Sequence, residues 1–263
     1  MIEKRVLVTP DKHLPLHDDA ALRATIELIK LVSPDIYVDL GDVAEFESVS
    51  HWRWRHKAKP PLEYQLPLID RELREVNRHL DRIDEALDIA GTPEKYLTTG
   101  NHDDWINMFV DAHPYMAKDY SFPNAIRAAE RGYTVLPLGK MLQIGDLHLY
   151  HGHYWSNMYH AKKHLERLGV NVMYAHQHSV QQHSLSQVQR TINAWSIGCL
   201  KDMTREANTW QRGRPNNWAH MNAVIEFLAD GTFHVDLIEI KDGRATYWGN
   251  VIDGNPKAQV RVG

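Results

Sequence analysis

The chain has 263 residues, of which 43 % are hydrophobic and 24 % charged, and its formal net charge is −4 with histidine neutral. That composition suits a globular protein with a real core and excludes a disordered segment or a broadly basic duplex-binding surface. A lone cysteine, Cys199, excludes an internal disulfide; with no signal-type run in residues 1–20 and no stretch of the ~18 apolar residues a membrane helix needs, a cytoplasmic protein without a membrane partner is expected.

In chain order, residues 4–9 are β-rich and end at Pro10, which predicts a first strand. Asp19 is placed to cap a helix through Leu22, Ile26, Ile29 and Leu31 to Val32, with Pro34 as its stop. Residues 36–40 form a short apolar strand closed by Gly41, so the first unit is strand, helix, strand with a parallel crossover. Residues 46–61 mix tryptophans, cations and a Pro-Pro pair and read as an irregular loop. From Ile69 an apolar stripe through Leu73, Val76, Leu80, Ile83, Leu87 and Ala90 predicts an amphipathic helix packed on a sheet and closed by Gly91. Further strands are expected at 95–99, 135–138, 141–144, 147–150, 171–175 and 189–197, and helices at 125–131 and 160–168. Gly145-Asp146 and Asp230-Gly231 read as hairpin turns, the second between strands at 223–228 and 232–240. Residues 201–220 read as a long loop. Nothing divides the chain, so one domain over residues 1–263 is expected, with a loosely held tail after Asp253.

Five stretches of ligand-type residues lie along this frame. They are Asp11-Lys12-His13, Gly41-Asp42, Gly100-Asn101-His102-Asp103, His151-Gly152-His153 and His176-Gln177-His178. Each follows a predicted strand, where open α/β sheets place their ligands. In an extended segment residues i and i+2 point the same way, so Asp11 with His13, and His176 with His178, can face one region. Asp42 follows a glycine that permits a sharp turn, and its two oxygens can bridge two cations. The Asn101 amide oxygen can bind a cation without adding negative charge. His102 beside it can face a substrate, with Asp103 holding the imidazole and raising its pKa. Alone, each fragment reads as ordinary turn or surface residues, and His153 is ambiguous as a ligand. Together they supply carboxylates, an amide oxygen and imidazoles, a set suited to two hard or borderline divalent cations. Paired cations are a recurrent device for hydrolysing phosphate esters.

The blocks Asp-x-His, Gly-Asp, Gly-Asn-His-Asp, His and x-His-x-His, in that order, resemble those of the calcineurin-like metallophosphoesterases. One position departs: Ala175 stands where the final block usually has glycine. The opening region, with Pro15 and a helix ahead of Gly41-Asp42, is also similar to phage-encoded members. The resemblance implies a four-layer α/β fold, a two-sheet β-sandwich flanked by helices. It implies that Asp11, His13, Asp42 and His178 hold one metal, and that Asp42, Asn101, His151 and His176 hold the other. Hydroxide bridging the pair would attack phosphorus, and His102, supported by Asp103, would protonate the leaving oxygen. Manganese is favoured for both sites, with iron or zinc as alternatives.

Two segments bear on substrate choice. Residues 46–61 interleave Trp52 and Trp54 with Arg53, Arg55, Lys57 and Lys59; residues 201–220 add Lys201, Arg205, Trp210, Arg212, Arg214 and Trp218. Aromatic rings stack on bases while cations meet phosphates. Both segments are therefore expected to face a phosphate-ester substrate, a nucleotide or single-stranded nucleic acid, with Trp52, Arg53 and Arg55 as candidate contacts. Equally, the tryptophans could anchor the loops and the cations be simply solvated. A phosphodiesterase acting on small nucleotide or cyclic nucleotide diesters is the favoured reading. A DNA or RNA exonuclease and a phosphomonoesterase are the alternatives, followed by a non-catalytic metal-binding module.

Overall fold

The first strand fixes the layering, because both of its faces are buried. In the computed structural model, which describes residues 2–156, 158–204 and 206–256 and not the side chain of His51, β1 (Ile2–Thr9) turns Leu7 toward helices. Val6 and Val8 face a second sheet. A strand covered on both sides needs apolar residues at successive positions, which is why residues 4–9 read as a run rather than an alternation.

After β1 come α1 (Asp19–Val32), β2 (Ile36–Asp39), the one-turn α2 (His51–Trp54), the long α3 (Leu62–Ala90), β3 (Glu94–Thr98) and α4 (Asn101–Ala112). The short α5 (Ala117–Tyr120) and α6 (Phe122–Ala125) lead to β4 (Tyr133–Leu136). Then follow β5 (Leu142–Ile144), β6 (Leu147–Leu149), α7 (His160–Leu168), β7 (Asn171–Tyr174), β8 (Val180–Ser186) and β9 (Thr191–Ile197). The last strands are β10 (His220–Leu228), β11 (Phe233–Ile240), β12 (Arg244–Tyr247) and β13 (Asn250–Asp253).

One sheet has the order β11-β10-β1-β2-β3-β4, with β1 to β4 parallel and β10 antiparallel to β1. The other has the order β5-β6-β7-β9-β8, with β6, β7 and β9 parallel. Between the sheets lie Val6, Val8, Ile36, Val38 and Leu40 from one side and Leu147, Leu149, Met173 and Ile197 from the other. Outside the first sheet, α1, α3 and α4 pack Leu22, Ile29, Leu80, Leu87 and Ile106. Outside the second, α7 packs Ala161 and Leu165 on Val172, Tyr174 and Ile192. The result is helix, sheet, sheet, helix. Each Val, Leu or Ile fully buried here contributes about 1.5–3 kcal/mol.

Several boundaries differ from the sequence reading. The N-cap of α1 is Asp18, whose carboxylate accepts from Ala21 N; Asp19 is the first helical residue. α3 begins at Leu62, on Pro61, and carries Pro67 inside it. Of the helix expected at 125–131 only Ala125 is helical, closing α6; beyond it Arg127 takes the left-handed conformation at φ 55° and breaks the ladder. α4, β8 and the β12–β13 ribbon have no counterpart in the predicted elements. Gly254 and Asn255 are hydrogen-bonded to Gly243 and Asp242, so the expected loose tail does not start at residue 254; from residue 257 it lies outside the described residues, as does Arg205.

Candidate metal centre

The C-terminal ends of β1, β2, β3, β6 and β7 deliver the five ligand-type stretches to one place. Two trios converge there, with ligand atoms within 4.8 Å of one another: Asp11, His13 and His178, and Asp42, His151 and His176. Asp42 lies between them. Its Oδ2 is 3.7 Å from His13 Nε2 and 3.4 Å from His151 Nε2. Asn101 Oδ1 is 3.0 Å from His151 Nε2, which is itself 3.1 Å from His176 Nδ1.

Extended-chain geometry is not what aims these side chains. His13, Asp42, His176 and His178 all have positive φ, between 46° and 61°, so left-handed turns replace the i, i+2 alternation expected from sequence. Aspartate and histidine tolerate that region better than most residues, yet it is a mark of locally imposed geometry. Ala175 is not among the positive-φ residues, which explains why alanine serves where glycine is usual. Two glycines are obligatory for a different reason. A Cβ on Gly41 would meet Thr98 O at 2.3 Å, and one on Gly100 would meet Asp42 Oδ1 at 2.1 Å.

Hydrogen bonds orient the imidazoles. His151 Nδ1 donates to the Leu40 carbonyl at 2.9 Å, leaving Nε2 for the centre. His13 Nδ1 lies 2.7 Å from Glu45 Oε2, leaving its Nε2 facing His178 Nε2 at 3.0 Å. A carboxylate behind a ligating imidazole fixes its tautomer and strengthens it as a ligand. Glu45 also accepts from Lys201 Nζ at 2.6 Å. Below the site, fully buried Lys12 donates to Asp39 Oδ2 at 2.6 Å and Thr9 Oγ1 at 2.9 Å, pinning the Asp11 turn.

The buried polar atoms fit divalent cations. Neither oxygen of fully buried Asp11 meets a hydrogen-bond donor, although His178 Nε2 is 3.2 Å away. Such groups are costly without a partner, and the donor set of carboxylate, imidazole and amide oxygen suits manganese, iron or zinc alike. The protonation preferences point the same way. Burial opposes charge on His151, but Asp42 raises it to about 9; burial likewise opposes charge on His178, and Cys199 and Asp11 raise it to about 10. Burial and the His151 charge lower His176 to about 3, and burial with Lys201 lowers His13. His151 and His178 thus hold protons where cations would stand, and binding would release those two, while His176 and His13 are held neutral and ready to ligate.

His102 borders this centre. Its backbone N donates to Asp42 Oδ1 at 2.8 Å, and its Nδ1 donates to the Glu45 carbonyl at 2.9 Å. Trp105 lies against the ring, centroids 3.9 Å apart. Asp103 does not hold this imidazole. Its carboxylate accepts from Gly100 N at 2.9 Å and Ala44 N at 3.2 Å, because a carboxylate in the first turn of α4 finds free backbone donors closer than a ring. Asp103 therefore ties two ligand loops together. Burial and Asp42 raise its pKa, against the pull of those two donors.

The other sequence-derived candidates scatter. His153 stacks 6.2 Å from His151. Arg53 lies over Trp54 and pairs with Glu47, and Arg55 lies over Trp52, so these cations are used within their own segment. Lys201, expected either to face substrate or to be solvated, is instead buried against Glu45. Glu45 itself carried no sequence signal; only the approach of its loop to His13 reveals it. A trio away from the centre, His17, Asp19 and His79, is matched by Arg23 and Arg82 on Asp19 and by Arg78 and Arg82 on the His79 nitrogens.

This arrangement of paired ligand loops at the strand ends of a two-sheet sandwich is that of a metal-dependent phosphoesterase. A family model for calcineurin-like phosphoesterases matches residues 4–198, and the chain belongs to that family. Among relatives, the Gene 54 protein of Mycobacterium phage L5 is 25 % identical over 268 residues, covering 95 % of this chain and 99 % of the relative. The Gene 54 protein of Mycobacterium phage D29 is 24 % identical over 273 residues, with the same coverage. Vps29 of Entamoeba histolytica, a solved structure, is similar at 12 % identity with a TM-score of 0.48, covering 95 % of this chain and 99 % of that one. No helix among the described residues is long and apolar enough to cross a membrane.

Proposed function

We propose that this family member is a phosphodiesterase for small nucleotide or cyclic nucleotide diesters, acting as one domain in a reducing compartment such as the cytoplasm. The observation that carries the reading is Asp42, within 3.7 Å of ligand nitrogens from both trios. Asp11, His13, Asp42 and His178 would hold one ion, and Asp42, Asn101, His151 and His176 the other. Two divalent cations, manganese favoured, would supply Lewis-acid charge and a nucleophilic water. Around them, His102 is the general acid. With Nδ1 committed to the Glu45 carbonyl, its Nε2 is the atom that carries a proton to the leaving oxygen. Asp42 and Trp105 position that ring, and Asp103 acts indirectly by joining the Gly100 and Ala44 loops.

A substrate panel with manganese-loaded protein tests this reading: bis-nitrophenyl phosphate, nitrophenyl phosphate, a 2′,3′-cyclic nucleotide and labelled single-stranded DNA. Turnover of the diester and the cyclic nucleotide with the DNA left intact is expected. Shortening of the DNA would favour the exonuclease, and a preference for the monoester the phosphomonoesterase. No turnover despite bound metal would overturn catalysis altogether.

A further inference from the structure

The loop between β9 and β10 is fastened directly beside a candidate ligand. Ala219 N donates to the His178 carbonyl at 3.0 Å, and Trp218 pairs with Ser179 in an isolated β-bridge. The Trp218 ring meets the His178 ring edge-on, centroids 4.3 Å apart. Trp210 lies beyond it, 6.2 Å from Trp218 and tilted by 41°. Buried Asn208 holds this turn from beneath, donating to the carbonyls of Asp202 and Thr204 at 2.7 and 2.9 Å. An open cleft of about 440 Å³ runs along the two rings, with Arg212 and Arg214 on its wall.

An anchoring role requires buried rings and spent cations; Lys201 at the start of this loop fits that role, paired with Glu45, but the outer turn at residues 210–214 does not. Trp210 is 67 % exposed. Arg212 and Arg214 are exposed, and neither guanidinium has an ion-pair partner among the described residues. The contrast with residues 52–55 is informative, since there each arginine covers a tryptophan of its own segment. The same composition is consumed internally at residues 52–55 and left on offer at residues 210–214.

Building on the phosphodiesterase reading, we infer that the Trp210–Trp218 cleft is a nucleobase subsite of the metal centre. The two rings already lie within the spacing of an aromatic pair, so a base stacks over them rather than between them. The planar forks of Arg212 and Arg214 suit oxygens of a flanking phosphate. Contact of Trp218 with His178 puts the base one ring away from the metal ligands, so the phosphate it carries can reach them. The ligand class is a base-bearing phosphate ester, whether a mononucleotide or one residue of a single strand.

Calorimetric titration of manganese-loaded protein with AMP and with ribose 5-phosphate tests this without turnover. The wild type is expected to bind AMP at least about ten-fold more tightly, the factor of a base–aromatic stack. Trp210→Ala, at an exposed position, is expected to abolish that preference while Tm is unchanged. Equal affinity of the wild type for the two ligands, or a preference that survives Trp210→Ala, would overturn the subsite. A parallel titration with oligothymidylate separates the sources: loss on both probes marks a platform that also takes single strands, and loss on AMP alone marks a mononucleotide site. If bis-nitrophenyl phosphate is turned over without any base preference, the subsite alone falls. If no ester is turned over yet AMP is preferred, the phosphodiesterase reading falls and the subsite stands.

Discussion

Glu45 touches both a ligand imidazole and a buried cation, and its position makes a sharp demand on one oxygen. Oε2 lies 2.7 Å from His13 Nδ1 and 2.6 Å from Lys201 Nζ. Glu45→Gln keeps the shape and weakens the charge behind His13, so manganese affinity should fall by about 10–100-fold, measured by calorimetry. Unchanged affinity would mean that His13 binds without that support. His102→Ala makes a different demand. Cleavage of esters with alkoxide leaving groups should slow by about 10²–10⁴-fold, and of nitrophenyl esters far less, in steady-state kinetics. Equal losses on both would remove the general-acid role. At this scale the ligand-type residues could be read from the sequence because each sits in a short block whose residue types are unusual together. Glu45 and Lys201 could not, since their chemistry exists only once distant loops meet. The role of Asp103 differs from the expected support of His102 for the opposite reason: its nearest donors are local backbone amides, which a motif does not display.

The loops that carry these residues are packed closely enough for single atoms to matter. Gly100 lies where a methyl group would overlap Asp42 Oδ1 and Asp42 N, at 2.1 and 2.2 Å. Gly100→Ala should therefore destabilise by about 1–3 kcal/mol, at roughly 2–4 °C of Tm per kcal/mol, and should weaken metal binding together with stability. A thermal melt with and without manganese checks it; a wild-type Tm would show that the β2 and β3 loops have slack. Strands buried on both faces, such as β2 and β7, were legible as apolar runs. β8 was not, because its exposed positions are polar and its alternation is weak until β9 pairs with it. α4 carries a helical stripe in Trp105, Ile106, Phe109 and Val110, but its first turn is the ligand block itself, whose polar residues mask the periodicity.

Across the molecule, the four layers hold histidines well outside the metal centre in neutral form. Burial, with help from His17, Arg78 and Arg82, lowers His79 to about 4; burial beside His164 lowers His160 to about 4, and burial lowers His164 to about 4 against two backbone hydrogen bonds. His164 stacks on Tyr174 with centroids 3.8 Å apart, and His160 Nδ1 is 2.6 Å from the Tyr174 hydroxyl. An unfolded histidine titrates near ~6.5, so between that pH and about 4 the unfolded chain binds more protons than the folded one. The stability contributed by these groups is complete above ~6.5 and is lost as pH falls toward 4. Melts in chelator should show Tm falling through that window, and His164→Gln should flatten the fall relative to the wild type; an unchanged slope would contradict it. The layered class followed from strand–helix alternation and the family resemblance, while the pairing of two sheets at one edge needed the three-dimensional contacts. That pairing underlies the central claim, that loops from both sheets grip two cations around Asp42. Elemental analysis of manganese-saturated wild type and Asp42→Ala after gel filtration tests it most directly. Two ions per chain in the wild type and fewer in the variant are expected; an ion-free wild type, or two ions kept by Asp42→Ala, would contradict it.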